Sequence, residues 1–395
     1  MKISGIICEY NPFHNGHKYH IDATRKNGAT HIVAIMSGNF VQRGDVAIMD
    51  KFERSKLAVQ CGVDLVVELP VAYSLSTAET FARGAVHLLN SLGCVRELSF
   101  GSECGDLPLL LAAVQASKDF SNSEELRALL EGGMSYPSAL SQLVEKRYGK
   151  QVADIFQGAN NELAVEYIKA ISHHKARISP FTITRKSALH DGDEKTSEYA
   201  SASFIRKSIA EGTDFSDLVP PETVKAIFEA LKSGKFARVE FLDRMLLYRL
   251  RTATLEEIAE LPDVGQGLEN RIFAAKGSCT MNELFTQIKT KRYTLARIRR
   301  ILFNLFIGIK ASDLEELPPY GRILATNERG FEILSEAKGK ATIPFGTSLS
   351  KLGDISDTAE RFAELESRST DIYSLACKKI QPSGVDYTSK VSIVD

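Results

Sequence analysis

The sequence predicts an α/β protein: a Rossmann-like doubly wound parallel sheet followed by a mostly α-helical C-terminal domain. Two observations carry that prediction. Up to residue 102, short continuous apolar runs alternate with segments of helical period, the pattern of parallel strands covered on both faces by crossover helices. Beyond about residue 201 strand signals fade and helical ones dominate.

In order, ISGIIC (3–8) reads as a buried strand and HKYHIDATRKNG as a helix ending at Gly28. HIVAIMSG (31–38) is a second strand, and DKFERSKLAVQCG (50–62) a helix that Asp50 can cap. DLVVELP (64–70) is a third strand stopped by Pro70. STAETFARGAVHLLNSLG (76–93) is a helix closed by Gly93, and ELSFGS (97–102) a fourth strand. Residues 106–150 read as helical cover, NELAVEYIKAISHH (161–174) as a helix and FTITRK (181–186) as a strand. Helices follow at ETVKAIFEALKSG, VEFLDRMLLYRLRT, TMNELFTQIKT and LARIRRILFNLFIGI; from about Gln381 no pattern is clear and the tail reads as loosely held.

The chain has 395 residues, 44% hydrophobic and 25% charged, which fits two domains, 1–209 and 210–395. A net charge of -1 excludes a wholesale polycation, so a polyanion site must be a local patch. The six cysteines form no CxxC pair and read as free thiols of a reducing compartment. No apolar stretch approaches the ~18 residues of a membrane span. A cytoplasmic protein without a membrane partner is expected.

All eight histidines fall at or before His190, and three, His14, His17 and His20, crowd the first strand-to-helix turn. In such a fold ligands sit outside the strand carboxyl ends. Gly16 lets a ligand approach the backbone, and the helix beginning near His17 offers unpaired N–H groups. Two imidazoles about one helical turn apart can donate to phosphate oxygens. Burial beneath the sheet and zinc binding are the other readings. Zinc wants further ligands nearby, so no metal site is assigned.

The motifs HNGH, EYNPFHNGHKYH, MSGNFVQRGD (36–45), DLVVELP, SFGSE (99–103) and GANNELAVEYIKAI (158–171) resemble the bacterial tRNA(Met) cytidine acetate ligase family, within the HxGH nucleotidyltransferase superfamily. The resemblance implies a ligase that uses ATP, with Mg2+ accompanying it, to make acetyl-adenylate from acetate. The acetyl group then passes to N4 of the wobble cytidine of elongator tRNA(Met). It implies an ATP-binding segment of Ile7, Cys8, Glu9, Tyr10, Asn11, Pro12, Phe13, His14, Asn15, Gly16, His17, Lys18, Tyr19 and His20, with His14 and His17 catalytic at the phosphates. Gly101, Asn160 or Asn161, and Arg185 would complete the pocket. SEYASASFIRKSI (197–209) resembles the superfamily's ISSTxIR signature, with Ser-Ala-Ser in place of Ser-Ser-Thr. Ser201 and Ser203 would cap the next helix and Arg206 hold β- and γ-phosphates; an ordinary cap with a surface arginine is the plainer reading.

Asn39, Gln42 and Arg43 lie just past the second strand and could line an acetate or cytidine pocket or simply a solvated loop. Glu68 reads as a structural ion pair, and His173 and His174 as surface residues at a helix end. His190 and Asp191 could border the site. From Met281 to Lys310 there are seven Lys or Arg and one Glu. An apolar stripe of Leu295, Ile298, Ile301, Leu302 and Leu305 leaves Arg297 and Arg300 off it, with Lys289, Lys291 and Arg292 just before. That local excess is a candidate RNA-phosphate patch, against a merely solvated face. A small-molecule adenylyltransferase and a non-catalytic RNA-binding adaptor are the competing functions. Oligomeric state is not legible.

Overall fold

The computed structural model describes residues 1–185, 199–290 and 292–395. In chain order the elements used below are β1 (Ile3–Cys8), α1 (Asn15–Lys26), β2 (His31–Ser37), α2 (Lys51–Gln60), β3 (Leu65–Leu69), α3 (Ala78–Ser91), β4 (Glu97–Ser102), α4 (Ala159–His173) and β5 (Ser179–Thr184). They continue with α5 (Ala202–Glu211), α6 (Leu295–Ile307), β6 (Gly321–Thr326), β7 (Phe345–Gly346), α7 (Asp357–Ser374) and β8 (Ser392–Ile393).

One eight-stranded sheet runs in the order β8-β6-β3-β2-β1-β4-β5, with β7 also paired to β6. From β3 to β5 every pairing is parallel, Ile3 lying opposite His31 and Ser4 opposite Glu97. The alternation within β2 shows why both faces are covered. Val33 and Ile35 join one core with residues of α3 and α4; Ile32, Ala34 and Met36 join another with Ile21 of α1 and Ala58 and Val59 of α2. Chain order reverses beside β1, which has β2 on one side and β4 on the other. The carboxyl ends of β1 and β4 therefore part around a crevice.

The half read as helical returns a strand to this sheet. β6 lies antiparallel to β3, with Glu68 opposite Arg322. Glu68 is the structural ion-pair residue expected, in a larger cluster than a pair. Lys51 Nζ lies 2.5 Å from Glu68, 2.6 Å from Asp386 and 3.4 Å from Glu366, and Arg322 meets Glu68 at 3.3 Å and also Asp386. Burial and the neighbouring Glu68 hold the Glu366 carboxyl well above its ordinary range. The tail is correspondingly not loose: Asp386 is fully buried, and β8 pairs with β6. Among the described residues no helix is long and apolar enough to cross a membrane.

Candidate active site

β1 ends at Cys8, and the chain turns through Tyr10, at φ 47°, and a cis Asn11–Pro12 bond. The turn is anchored from below. Asn11 Oδ1 accepts the Ile48 N–H at 2.9 Å, and the buried Arg54 guanidinium donates to the carbonyls of Glu9, Ser37, Gly38 and Met49.

α1 then begins in an unusual way, because its N-cap is an imidazole. His14 Nδ1 accepts the Gly16 N–H at 3.0 Å, and His17 Nδ1 accepts the His14 N–H at 3.2 Å. The two rings stack 3.7 Å apart, braced by Tyr10 and Phe13 against His17. A ring nitrogen that accepts a backbone N–H carries no proton, so each neutral ring holds its proton on Nε2. Burial, then the Arg185 and Arg206 charges, lowers His14 to about 3. Burial, then His14, holds His17 well below its ordinary value. Burial, then Arg185, lowers His20 to about 4, although its bond to Ser99, 3.0 Å away, opposes this. These are neutral hydrogen-bond donors. The reason for Gly16 is closer to home than ligand approach: a Cβ there would stand 2.8 Å from Cε1 of the folded-back His14 ring.

The rings line a cavity of about 270 Å³ in the crevice. One part of its wall is polar: Arg185 after β5, Ser203 and Arg206 on α5, and Arg43. Arg206 donates to the Asn11 carbonyl at 2.7 Å. Ser201 caps α5 by accepting the Phe204 N–H at 3.1 Å, and Ser203 lies in its first turn, 2.9 Å from Ser201 Oγ. Residues from the N-termini of α1 and α5 thus line one space, which favours anions. The other part is apolar, from Cys8, Phe81, Phe100, Leu163, Tyr167 and Ile183, and Glu9 is the one carboxylate residue among the described lining. Ile7, Tyr10, Asn11, Tyr19, His20 and Gln42 also line it.

The two asparagines separate. Asn160 lines the cavity and accepts Arg185 Nη1 at 2.6 Å, while buried Asn161 accepts the Glu103 and Cys104 N–H groups at 2.9 and 3.2 Å and ties down that loop. Gly101 lines the cavity beneath the Arg185 stem, whose Cγ lies 3.0 Å from where a Cβ would stand. Four residues of the 7–20 segment lie outside the lining. Pro12 is in the turn, Phe13 is in the core, Asn15 reaches the Asp217 carbonyl at 2.8 Å, and Lys18 pairs with Asp22 on the surface. Helix periodicity turns Asn15 and Lys18 away.

The basic segment needs correcting in part. Arg300 is buried, 2.7 Å from Asp263 and donating to the Gln42 carbonyl at 3.4 Å; Arg297 meets the same Asp263 at 3.2 Å. An acid 37 residues before Arg300 and 34 before Arg297 draws both guanidiniums inward. Lys289 is exposed and Arg292 half-buried; Lys291, like His190 and Asp191, lies outside the described residues. His174 is half-buried on the Arg83 carbonyl at 3.0 Å, and His173 is exposed. Asn39 is buried and serves the fold, accepting the Lys51 N–H at 2.8 Å. Sequence reasoning missed the apolar wall, which α3, α4, β4 and β5 contribute from afar. Among the described residues no His, Cys, Asp and Glu group of three or more could hold a metal.

Residues 1–387 match the family model described as HIGH Nucleotidyl Transferase. The chain is similar to proteins named tRNA(Met) cytidine acetate ligase. The one from Thermoanaerobacter sp. (strain X514) is 40% identical, over 98% of each chain; the one from Acetivibrio thermocellus is 37% identical, over 100% of each. A crystal structure of Thermotoga maritima TmcAL bound with alpha-thio ATP is 28% identical, covers 100% of both chains and has a TM-score of 0.90. The apo structure of that protein has a TM-score of 0.92.

Proposed function

The chain belongs to the tRNA(Met) cytidine acetate ligase family of HIGH nucleotidyl transferases, and on that premise we propose how its cavity works. It is an ATP-dependent ligase that activates acetate as acetyl-adenylate, releases pyrophosphate and acetylates N4 of the wobble cytidine of elongator tRNA(Met). The observation that carries the reading is the pair of stacked imidazoles whose Nδ1 atoms are spent on capping α1. Their Nε2–H groups are fixed donors, held in place before any nucleotide arrives.

In the first half-reaction a carboxylate attacks the α-phosphorus of ATP, and negative charge grows on the phosphate oxygens and on leaving pyrophosphate. His14 and His17 meet that charge as neutral donors; Arg185, Arg206 and Ser203 with the α5 N-terminus meet it beside them. Donors already in place need no reorganisation. Asn160 holds Arg185 from behind. Mg2+ would come with the triphosphate, keeping several waters and taking phosphate oxygens, and so needs no protein cage. The apolar wall excludes water from the mixed anhydride until the second substrate comes.

The wobble base must leave its loop stack to reach the adenylate. Lys289 and Arg292, with Lys291, are the proposed RNA-phosphate contacts, while Arg300 acts by shaping the wall behind Gln42. A tRNA substrate places the protein in the cytoplasm. The test is incubation with ATP and labelled acetate, with and without tRNA(Met). Label in the RNA supports the reading. ATP turnover onto a small molecule alone would make the protein an adenylyltransferase, and no turnover would make it an adaptor.

A further inference from the structure

Acetyl transfer leaves a proton to dispose of, and one residue of the cavity is otherwise out of place. Glu9 puts a carboxylate in a space whose other charged lining residues are Arg43, Arg185 and Arg206. There it repels both acetate and the triphosphate. Its charge is offset by Arg206, Arg43 and Arg54, and the first half-reaction has no step that uses it. Glu9 Oε1 accepts the Gln42 N–H at 2.8 Å, a bond that a glutamine side chain could make as well. Oε2 takes no hydrogen bond among the described residues.

The position of Glu9 matches the second half-reaction. It is the first residue past β1, five before His14, and so stands at the edge of the phosphate cradle. Gln42 faces it from the turn of the Phe40–Val46 hairpin, and the Gln42 carbonyl accepts from Arg300 of α6. The wall holding Glu9 is therefore backed by the helix that Lys289 and Arg292 precede, which is the proposed RNA side. Burial pushes the carboxyl above its ordinary value even though Gln42 N–H, Arg206, Arg43 and Arg54 all pull it down. That makes it a better base near neutral pH.

We propose that Glu9 is the catalytic base of acetyl transfer. The cytidine N4 amine is a weak nucleophile because its lone pair is shared with the ring, and on adding to a carbonyl it becomes acidic. The N4 nitrogen adds to the acetyl carbonyl carbon and the N–C bond forms. The bond from that carbon to the bridging phosphate oxygen breaks, and AMP leaves with its electron pair. The amine proton passes to Glu9 Oε2 and then to water. Nothing else is consumed.

This inference rests on the ligase reading, and its test separates the two. In the full-length protein, acetate-dependent exchange of pyrophosphate into ATP reports adenylate formation. Single-turnover transfer of label from preformed acetyl-adenylate to tRNA(Met) reports the second step. General-base catalysis contributes about 10²–10⁴-fold, so Glu9→Gln should slow transfer about a hundredfold more than it slows exchange. The wild-type transfer rate should rise with pH along a limb that Glu9→Gln lacks and Glu9→Asp keeps, whatever the folded yield of either variant. Equal losses in both steps, unchanged transfer, or a persisting pH limb in Glu9→Gln would overturn the role. If the wild-type protein never labels RNA, the ligase reading fails and this inference with it.

Discussion

His14 does two jobs that substitution can separate. Its side chain caps α1 through Nδ1, and its ring presents Nε2–H to the cavity. Asparagine is among the best N-caps, and its short Oδ1 can take the backbone N–H that Nδ1 now takes, yet it cannot reach where Nε2 stands. Alanine does neither. Losing a cap costs about 1 kcal/mol of stability, and losing one preorganised donor to a developing oxyanion costs about 3 kcal/mol of barrier, or a hundredfold in rate. His14→Asn should therefore lie about 1 kcal/mol above His14→Ala in denaturant unfolding. Both variants should lose about a hundredfold in acetate-dependent pyrophosphate exchange, on the same scale. The magnitudes belong to different links of the chain: one to local helix stability, the other to transition-state charge. The assay pair is urea titration followed by intrinsic tyrosine fluorescence, and exchange at saturating ATP. If His14→Asn kept exchange within threefold of wild type, the ring would be a cap alone and the donor argument would fail.

His17→Ala should lower adenylate formation at least about a hundredfold with the fold intact; near-normal pyrophosphate release would remove His17 from the mechanism. Nitrogen-15 NMR of the free protein at pH 6 should show His14 and His17 neutral with the proton on Nε2, since burial lowers His14 to about 3 and His17 also far below its ordinary value. The sign follows from the depressed values: both rings stay uncharged from neutral pH down past 6, and an imidazolium signal at pH 6 would contradict the cap geometry. In the buried charge cluster, Lys51→Met should cost about 3–5 kcal/mol, as removal of one partner of a buried pair does. Glu366→Gln should cost far less in the same urea titration, because burial and the neighbouring Glu68 already hold that carboxyl well above its ordinary range. Reversing Lys289 and Arg292 to Glu should weaken tRNA(Met) binding and flatten its salt dependence while pyrophosphate exchange survives; an unchanged salt slope would return them to plain surface.

What could be read from the sequence was local. Continuous apolar strands, Asp50 capping α2 and the stop at Pro70 are decided by neighbours within a turn or two, and the α/β alternation follows from them. β6 was not legible for the opposite reason. GRILAT carries an arginine at its second position, which reads as surface. It is buried only because Glu68 and Asp386, from two distant segments, balance its charge. The same physics misled the reading of Arg297 and Arg300: their charge pattern is that of a solvated face, and a single Asp263 reverses it. At the site, the HNGH motif marks the place but not the geometry, since imidazole is not among the usual caps.

The long-range contacts also decide how the two halves of the reaction meet. Gly44, at φ 71°, closes the hairpin turn that carries Gln42 and Arg43, and a Cβ there would stand 2.6 Å from Arg299 Cβ and from the Arg300 nitrogen of α6. The turn thus lies flush on the α6 backbone, and Arg300 holds the Gln42 carbonyl from behind. Gln42 in turn positions Glu9 through its N–H. The acid that faces the cavity is therefore set by contacts running from β1 through the hairpin into the C-terminal half. A cavity wall built this way ties Glu9 to the α6 backbone through Gln42 and not through charge alone.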